Sequence, residues 1–226
     1  MNTGLIGTGY WGKILKSKLE RISTLHFSYN SKEDYKSMLH LVDWVFIATP
    51  NSTHYEIVKY CINQRKNVFC EKPLTLTYSE SFDLFRLADK NNVKLYVDDV
   101  FNYRDETAAL KQIINKKDKI KVVWNRESND KLYDLLYHDL YLLYTVLGDI
   151  KSINWPKINN VIFDYKGCDK KHTINEIDFT HTERSNDALM EMLISVLHET
   201  VDYNYNRTIT LFCNKVIDDI SNNTNI

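Results

Sequence analysis

Residues 42–48 read VDWVFIA, and after Asp43 the run shows no alternation of polar and apolar positions. A strand of that kind is covered on both faces, as in a parallel sheet held between two layers of helices. The flanking sequence agrees. TGLI (3–6), LHFSY (25–29), NVFC (67–70) and VKLYV (93–97) read as further strands, with helix-like segments at about 10–21, 34–39, 53–64 and 78–90. Regular β/α alternation predicts an α/β domain over residues 1–97, with ligands bound at the carboxyl ends of its strands.

Beyond Asp98 the alternation stops. A helix at about 106–115 precedes a strand at 119–125 and an apolar helix at 131–147, which stops at Gly148 as a C′ glycine would. β-like runs at 161–165 and 172–181 and helices near 186–199 and 207–221 complete the chain. This predicts a smaller α+β domain over 98–226 with a reduced open sheet of about three strands.

Composition removes several classes of partner. With 26% charged residues and a net charge of −1 there is no electrostatic drive toward nucleic acid or anionic membrane. No apolar run approaches the roughly 20 residues that span a bilayer. Met1-Asn2 leads straight into the first strand, which argues against a secretory leader. The four cysteines have no metal-ligand spacing and no disulfide-framework density, so a reduced cytoplasmic protein without a metal site is expected.

Gly7-Thr8-Gly9-Tyr10-Trp11-Gly12 fits G-x-G-x-x-G between a strand and a helix. The first glycine permits the turn, the second lets backbone approach a pyrophosphate, and the third lets helix pack closely on strand. The helix that follows offers free N–H groups to phosphate. Gly7, Gly9, Tyr10, Trp11 and Gly12 are therefore candidate nucleotide-binding residues; a tight structural turn is the competing reading.

Two later stretches add specificity. ATPNSTH (48–54) and CEKPLT (70–75) each follow a strand directly, and with GTGYWG they resemble the glucose–fructose oxidoreductase / inositol dehydrogenase (Gfo/Idh/MocA) family in sequence and order. DLLYHD (134–139) is similar to that family's D-x-x-x-H helix, and the likeness covers roughly the first 150 residues. GYWGK and VDDVFNYR (97–104) look most like members acting on nucleotide-linked sugars. The resemblance implies a Rossmann-type fold with NAD or NADP as cofactor. It also implies that Thr49, Pro50, Asn51 and His54 line the cofactor cleft, that Glu71 and Lys72 sit beside the nicotinamide ribose, and that Pro73 follows a cis peptide.

Asp134 and His138 are one turn apart on one face of the 131–147 helix, with Tyr141 and Thr145 extending the polar line. On a largely apolar helix such a line needs partners or a wet cavity. An Asp–His hydrogen bond satisfying a core histidine is one reading. The resemblance implies the other: hydride transfer with His138 as general base, Asp134 orienting it and Lys72 stabilising the alkoxide. Tyr103, Arg104, Asn125 and Arg126 are candidate substrate contacts, with surface or packing roles as the alternative. Asp98 and Asp99 read as solvated.

Set against the family, the chain is shorter by roughly a third of a usual two-domain dehydrogenase. Between the glycine loop and VDWVFIA there is room for one strand and one short helix, where the family usually has two of each. The strand at 25–29 leads to Asn30 with no acid to hold a ribose; Glu33 and Asp34 read as first-turn acids of the next helix. Asn30, Ser31 and Lys32 are candidates for receiving a 2′-phosphate, which favours NADP. The leading reading is an NAD(P)-dependent oxidoreductase for a small-molecule sugar or nucleotide sugar. An enzyme that oxidises transiently to assist glycoside cleavage and a non-catalytic sugar- or nucleotide-binding relative are the alternatives. Assembly stays open, with a homodimer as the candidate.

Overall fold

The computed structural model of the chain describes residues 1–30, 32–113, 120–123, 136–147, 157–158, 161–164, 173–174, 177–178 and 186–223. The chain divides into two compact units, Met1–Asp99 with Met190–Lys215, and Val100–Leu189 with Val216–Ile226. Residues 190–215, grouped by sequence with the second domain, thus complete the first unit.

The first unit is built on β1 (Asn2–Ile6), β2 (Thr24–Tyr29), β3 (Trp44–Ile47), β4 (Asn67–Cys70) and β5 (Leu95–Val97). All are parallel, in the order β2-β1-β3-β4-β5. A doubly wound dinucleotide sheet runs 3-2-1-4-5-6. Deleting its outer strand and renumbering gives the order found here, so β2 is an edge and the switch point lies between β1 and β3. The segment joining β2 to β3 forms a 3-10 helix, Lys36–Leu41, where a short α-helix near 34–39 was expected.

Strand alternation gives the sheet two different faces. Val45, Ile47, Val68, Cys70, Leu95 and Val97 share an aliphatic core with Val58, Cys61 and Ile62 of α2 (His54–Asn63) and Leu84, Phe85 and Ala88 of α3 (Tyr78–Asn91). Trp44, Phe46, Phe69 and Tyr96 form an aromatic ladder on the other side, with successive centroids 6.3, 5.1 and 6.2 Å apart. Tyr203 meets Tyr96 edge-on at 6.1 Å. Burying each such ring contributes about 1.5–3 kcal/mol. The third helix of this unit, α1 (Tyr10–Ile22), buries Leu15 and Leu19 completely.

In the second unit a 3-10 turn, Val100–Tyr103, leads into α4 (Asp105–Ile113), β6 (Ile120–Val123) and α5 (Tyr137–Leu147). Strands β7 (Lys157–Ile158), β8 (Val161–Asp164), β9 (Thr173–Ile174) and β10 (Ile177–Asp178) join β6 in the order β10-β9-β6-β8-β7. The described sheet therefore has five strands, not about three. The run at 172–181 is split into two short antiparallel strands, and β7 adds an edge. Only β6 and β8 run parallel. The chain continues through α6 (Ala188–Leu197) and α7 (Tyr203–Asn223). Among the described residues no helix is long and apolar enough to cross a membrane.

Candidate active site

The glycine loop sits at the switch point. Gly7 N–H donates to Tyr29 O at 2.7 Å and Ala48 N–H to Ile6 O at 2.8 Å, which ties the ends of β1, β2 and β3 together. Gly7 has φ +119°, and a Cβ there would collide with the Ala48 carbonyl. A Cβ on Gly12 would collide with Gly7 O, so the helix approaches the strand as closely as backbone permits. Gly9 is different: its φ is −71° and a Cβ would meet nothing within 4 Å.

Gly9 is also the N-cap of α1, with no side-chain cap and no acid in the first turn. By contrast, Thr77 caps α3 by accepting from Glu80 N at 3.3 Å. The α1 terminus thus leaves its N–H groups for an external anion in front of an open Gly9. These features fit the pyrophosphate of a dinucleotide. Tyr10 and Trp11, 75% and 45% exposed, stand edge-to-face at 5.4 Å beside the opening.

The next two loops follow β3 and β4 at the same edge of the sheet. Thr53 Oγ1–H is shared between Thr49 Oγ1 at 2.8 Å and Pro50 O at 2.7 Å, bracing the Thr49-Pro50-Asn51 turn. His54 does not line the cleft with its own ring. It has no solvent exposure, and its Nδ1 and Nε2 lie 2.8 Å from Pro73 O and 2.9 Å from Thr49 O. Opening α2 turns the ring inward, so His54 lies between the two loops, where a neutral ring donates to one of these carbonyls and an imidazolium to both. Burial pushes its pKa below the ordinary histidine value, and the carbonyls of Pro73, Thr49 and Leu74 oppose this only in part.

The Lys72–Pro73 peptide is cis, as the motif implies. Cys70 pairs with Val97 in the β4–β5 ladder, so Glu71 and Asp98 emerge next to each other. Both are 6% exposed, and their side chains are hydrogen-bonded. Burial, the Asp98 charge and that bond hold the Glu71 carboxyl well above the usual carboxylate range, with Lys72 opposing. Glu71 Oε1 is buried without a hydrogen-bond partner among the described residues. Asp99, 4% exposed, accepts from Tyr96 Oη–H at 2.5 Å. The solvated reading of Asp98 and Asp99 is therefore corrected: a carboxyl partner and a phenol make their burial affordable. Parallel register alone, NVFC-Glu71 beside LYV-Asp98, was the signal that would have found this pair.

At the tip of β2, Asn30 is exposed and turned onto its own loop. Its backbone N–H and its Nδ2 both donate to Glu33 Oε2, at 2.7 and 2.5 Å, and its Oδ1 accepts from Lys32 N at 2.9 Å. Glu33 thus folds back to the strand end instead of opening a helix, while Asp34 receives Ser37 N at 3.3 Å. Ser31 lies outside the described residues.

In the second unit, the polar line of α5 meets the 100–103 turn. Tyr141 Oη accepts from Phe101 N at 2.7 Å, and Thr145 Oγ1–H donates to Asn102 Oδ1 at 2.6 Å. His138, 8% exposed, stacks on Phe101 with centroids 4.5 Å apart and 19° between planes. The Arg104 guanidinium lies 3.7 Å from the same ring's centroid, and Tyr103 O accepts from Asn186 Nδ2 at 2.7 Å. Asp134, Asn125 and Arg126 lie outside the described residues.

Comparison with known proteins bears on the whole. Residues 13–99 match the model of the GFO_IDH_MocA oxidoreductase family, NAD-binding Rossmann fold. An uncharacterized oxidoreductase of Streptococcus pneumoniae is 29% identical over 131 residues, 50% of this chain and 36% of that protein. The chain spans about a third or less of the length of the curated relatives it matches. UDP-N-acetylglucosamine 3-dehydrogenase GnnA of Acidithiobacillus ferrooxidans superposes with a TM-score of 0.77 at 16% identity, over 97% of this chain and 96% of that one. The WlbA dehydrogenase of Thermus thermophilus, in complex with NAD and UDP-GlcNAcA, does so with a TM-score of 0.77 at 14% identity, covering 97% and 94%. At those identities the likeness is one of fold. Taken with the glycine loop and the cis Lys72–Pro73 peptide, the match shows that residues 13–99 are similar to the NAD-binding Rossmann fold of the Gfo/Idh/MocA oxidoreductase family.

Proposed function

We propose that this chain is an NAD-dependent oxidoreductase acting on a hydroxyl-bearing carbon of a sugar or nucleotide sugar. The observation that supports it most is the uncapped α1 terminus at an open Gly9, on a sheet whose β4 runs into a Glu71-Lys72-Pro73 loop with a cis Lys72–Pro73 peptide. When bound, NAD supplies a hydride acceptor. Gly9 and the first N–H groups of α1 hold its pyrophosphate, Gly7 and Gly12 permit the turn and the close helix–strand packing that present them, and Tyr10 and Trp11 flank it. Thr49, Pro50 and Asn51 form a wall, with Glu71 and Lys72 at the nicotinamide ribose. The substrate class follows the relatives named for UDP-sugars.

The substrate carbon releases its hydride only as its hydroxyl proton leaves. His138 takes that proton as general base. Stacking on Phe101 fixes the plane of its ring, and Asp134, four residues earlier, orients it. The Lys72 ammonium stabilises the developing alkoxide. Tyr103, Arg104, Asn125 and Arg126 are the proposed substrate contacts.

NAD is favoured over NADP by one observation. The Glu33 carboxylate, held at the tip of β2 by two donors from Asn30, stands where a 2′-phosphate would add like charge. Asn30, committed to that turn, is not available to receive the phosphate. A non-catalytic sensor remains the second reading because the adenosine side is cut back to an edge strand and one 3-10 turn. Incubation with NAD and a panel of UDP-sugars, followed by NADH absorbance, separates the two. The enzyme reading requires turnover on at least one sugar, reduced roughly 10²-fold by His138→Asn. NADH binding with no turnover on any sugar leaves the sensor.

A further inference from the structure

Helix α7 carries a buried polar stripe that no motif accounts for. Asn206, Thr210 and Asn214 are spaced four apart on one face and are 1%, 2% and 1% exposed. A helix packed only for stability would present apolar side chains there. Asn206 pairs with Val97 as a strand would: its Oδ1 accepts from Val97 N at 2.9 Å and its Nδ2 donates to Val97 O at 2.8 Å. Val97 ends β5, one residue before Asp98.

Asn214 reaches the neighbouring loop. Its Nδ2 donates to Thr75 O at 2.8 Å, while its Oδ1 is buried with no hydrogen-bond partner among the described residues. An amide that leaves its oxygen unsatisfied is a poor choice for stability. Its one bond secures the segment that follows Lys72. Asn214 holds that segment at Thr75 O, Pro73 O lies 2.8 Å from His54 Nδ1, and the Thr75 hydroxyl is enclosed between Thr77 O and Ser81 Oγ, 2.7 Å from each.

We infer that Asn214 is a positioning residue: through Thr75 O it sets the 71–75 loop, and with it the direction of Lys72. Asn206 does the same for the end of β5 that leads into Asp98. The inference rests on the proposed binding of nicotinamide against the Lys72 loop. It predicts that loss of the Asn214 donor damages the nicotinamide end of the site and spares the pyrophosphate end.

The test compares NADH with ADP-ribose, which shares the adenosine and pyrophosphate and lacks nicotinamide. In Asn214→Leu, close in volume and without a donor, NADH affinity should fall about 10-fold while ADP-ribose affinity stays within about twofold of the parent. Asn214→Ser, whose shorter hydroxyl does not span the gap, should behave alike and decides the matter if the leucine variant does not fold. Equal losses for both ligands, no loss for either, or failure of both variants to fold would mean the bond serves the fold and not the site. A parent protein that binds ADP-ribose but not NADH would instead overturn the nicotinamide reading on which the inference rests.

Discussion

Glu71 and Asp98 stand side by side at the ends of two neighbouring parallel strands, joined by a hydrogen bond that needs a proton on one of them. Two buried carboxylates in that position repel, so the pair holds a proton at pH values where an exposed glutamate is ionised. The folded pKa of Glu71 lies above its ordinary value of 4.5. The stability it contributes is therefore complete below about that pH and is lost as the pH rises through the folded value. Glu71→Gln keeps a donor for Asp98 and removes the titration. At pH 8 it should be more stable than the parent by about 1–3 kcal/mol in urea unfolding. Parallel stability–pH curves for the two proteins would contradict the pairing.

His54 carries the opposite sign. Its folded pKa is lowered from 6.5, so its stability contribution is complete above that value and drains away as the pH falls through the folded pKa. His54→Gln should flatten this acid limb, at a cost of about 1–3 kcal/mol at neutral pH from the carbonyl left unpaired. A variant with the parent's acid slope would assign that slope elsewhere.

The two glycines should separate fold from binding. Gly7→Ala places a Cβ against the Ala48 carbonyl at φ +119° and should lower the melting temperature by several degrees. Gly9→Ala enters open space and should melt within about 2 °C of the parent, yet weaken NADH binding about 10-fold or more. If the two variants melt and bind alike, the open space at Gly9 is not the phosphate site.

Glu33→Gln should raise NADPH affinity about 5-fold and change NADH affinity little, since an exposed charge near a phosphate is worth about 1 kcal/mol. Titration with both nucleotides checks it; an unchanged NADPH constant would move the specificity away from the β2 tip.

How much of this was legible in the sequence depended on how local each feature is. The strand ending at Ile6, the glycine loop and the start of α1 are set by neighbouring residues, and the cis Pro73 follows from its motif. Features that need a partner far along the chain were not legible. Ser31-Lys32-Glu33-Asp34 has the composition of a helix cap, yet the Asn30 donors draw Glu33 back. His54 sits in a cofactor motif but is taken by Pro73, 19 residues on. Asn206 and Asn214 gain meaning only when α7 is brought against β5 and Thr75, 109 and 139 residues away.

The most direct test of the account is a fluorescence titration of the purified chain with NADH, beside the Gly9→Ala variant. Saturable binding that the variant weakens about 10-fold or more is the predicted result. A parent protein that binds neither NADH nor NADPH would contradict the central claim that this shortened Rossmann unit is a working nicotinamide site.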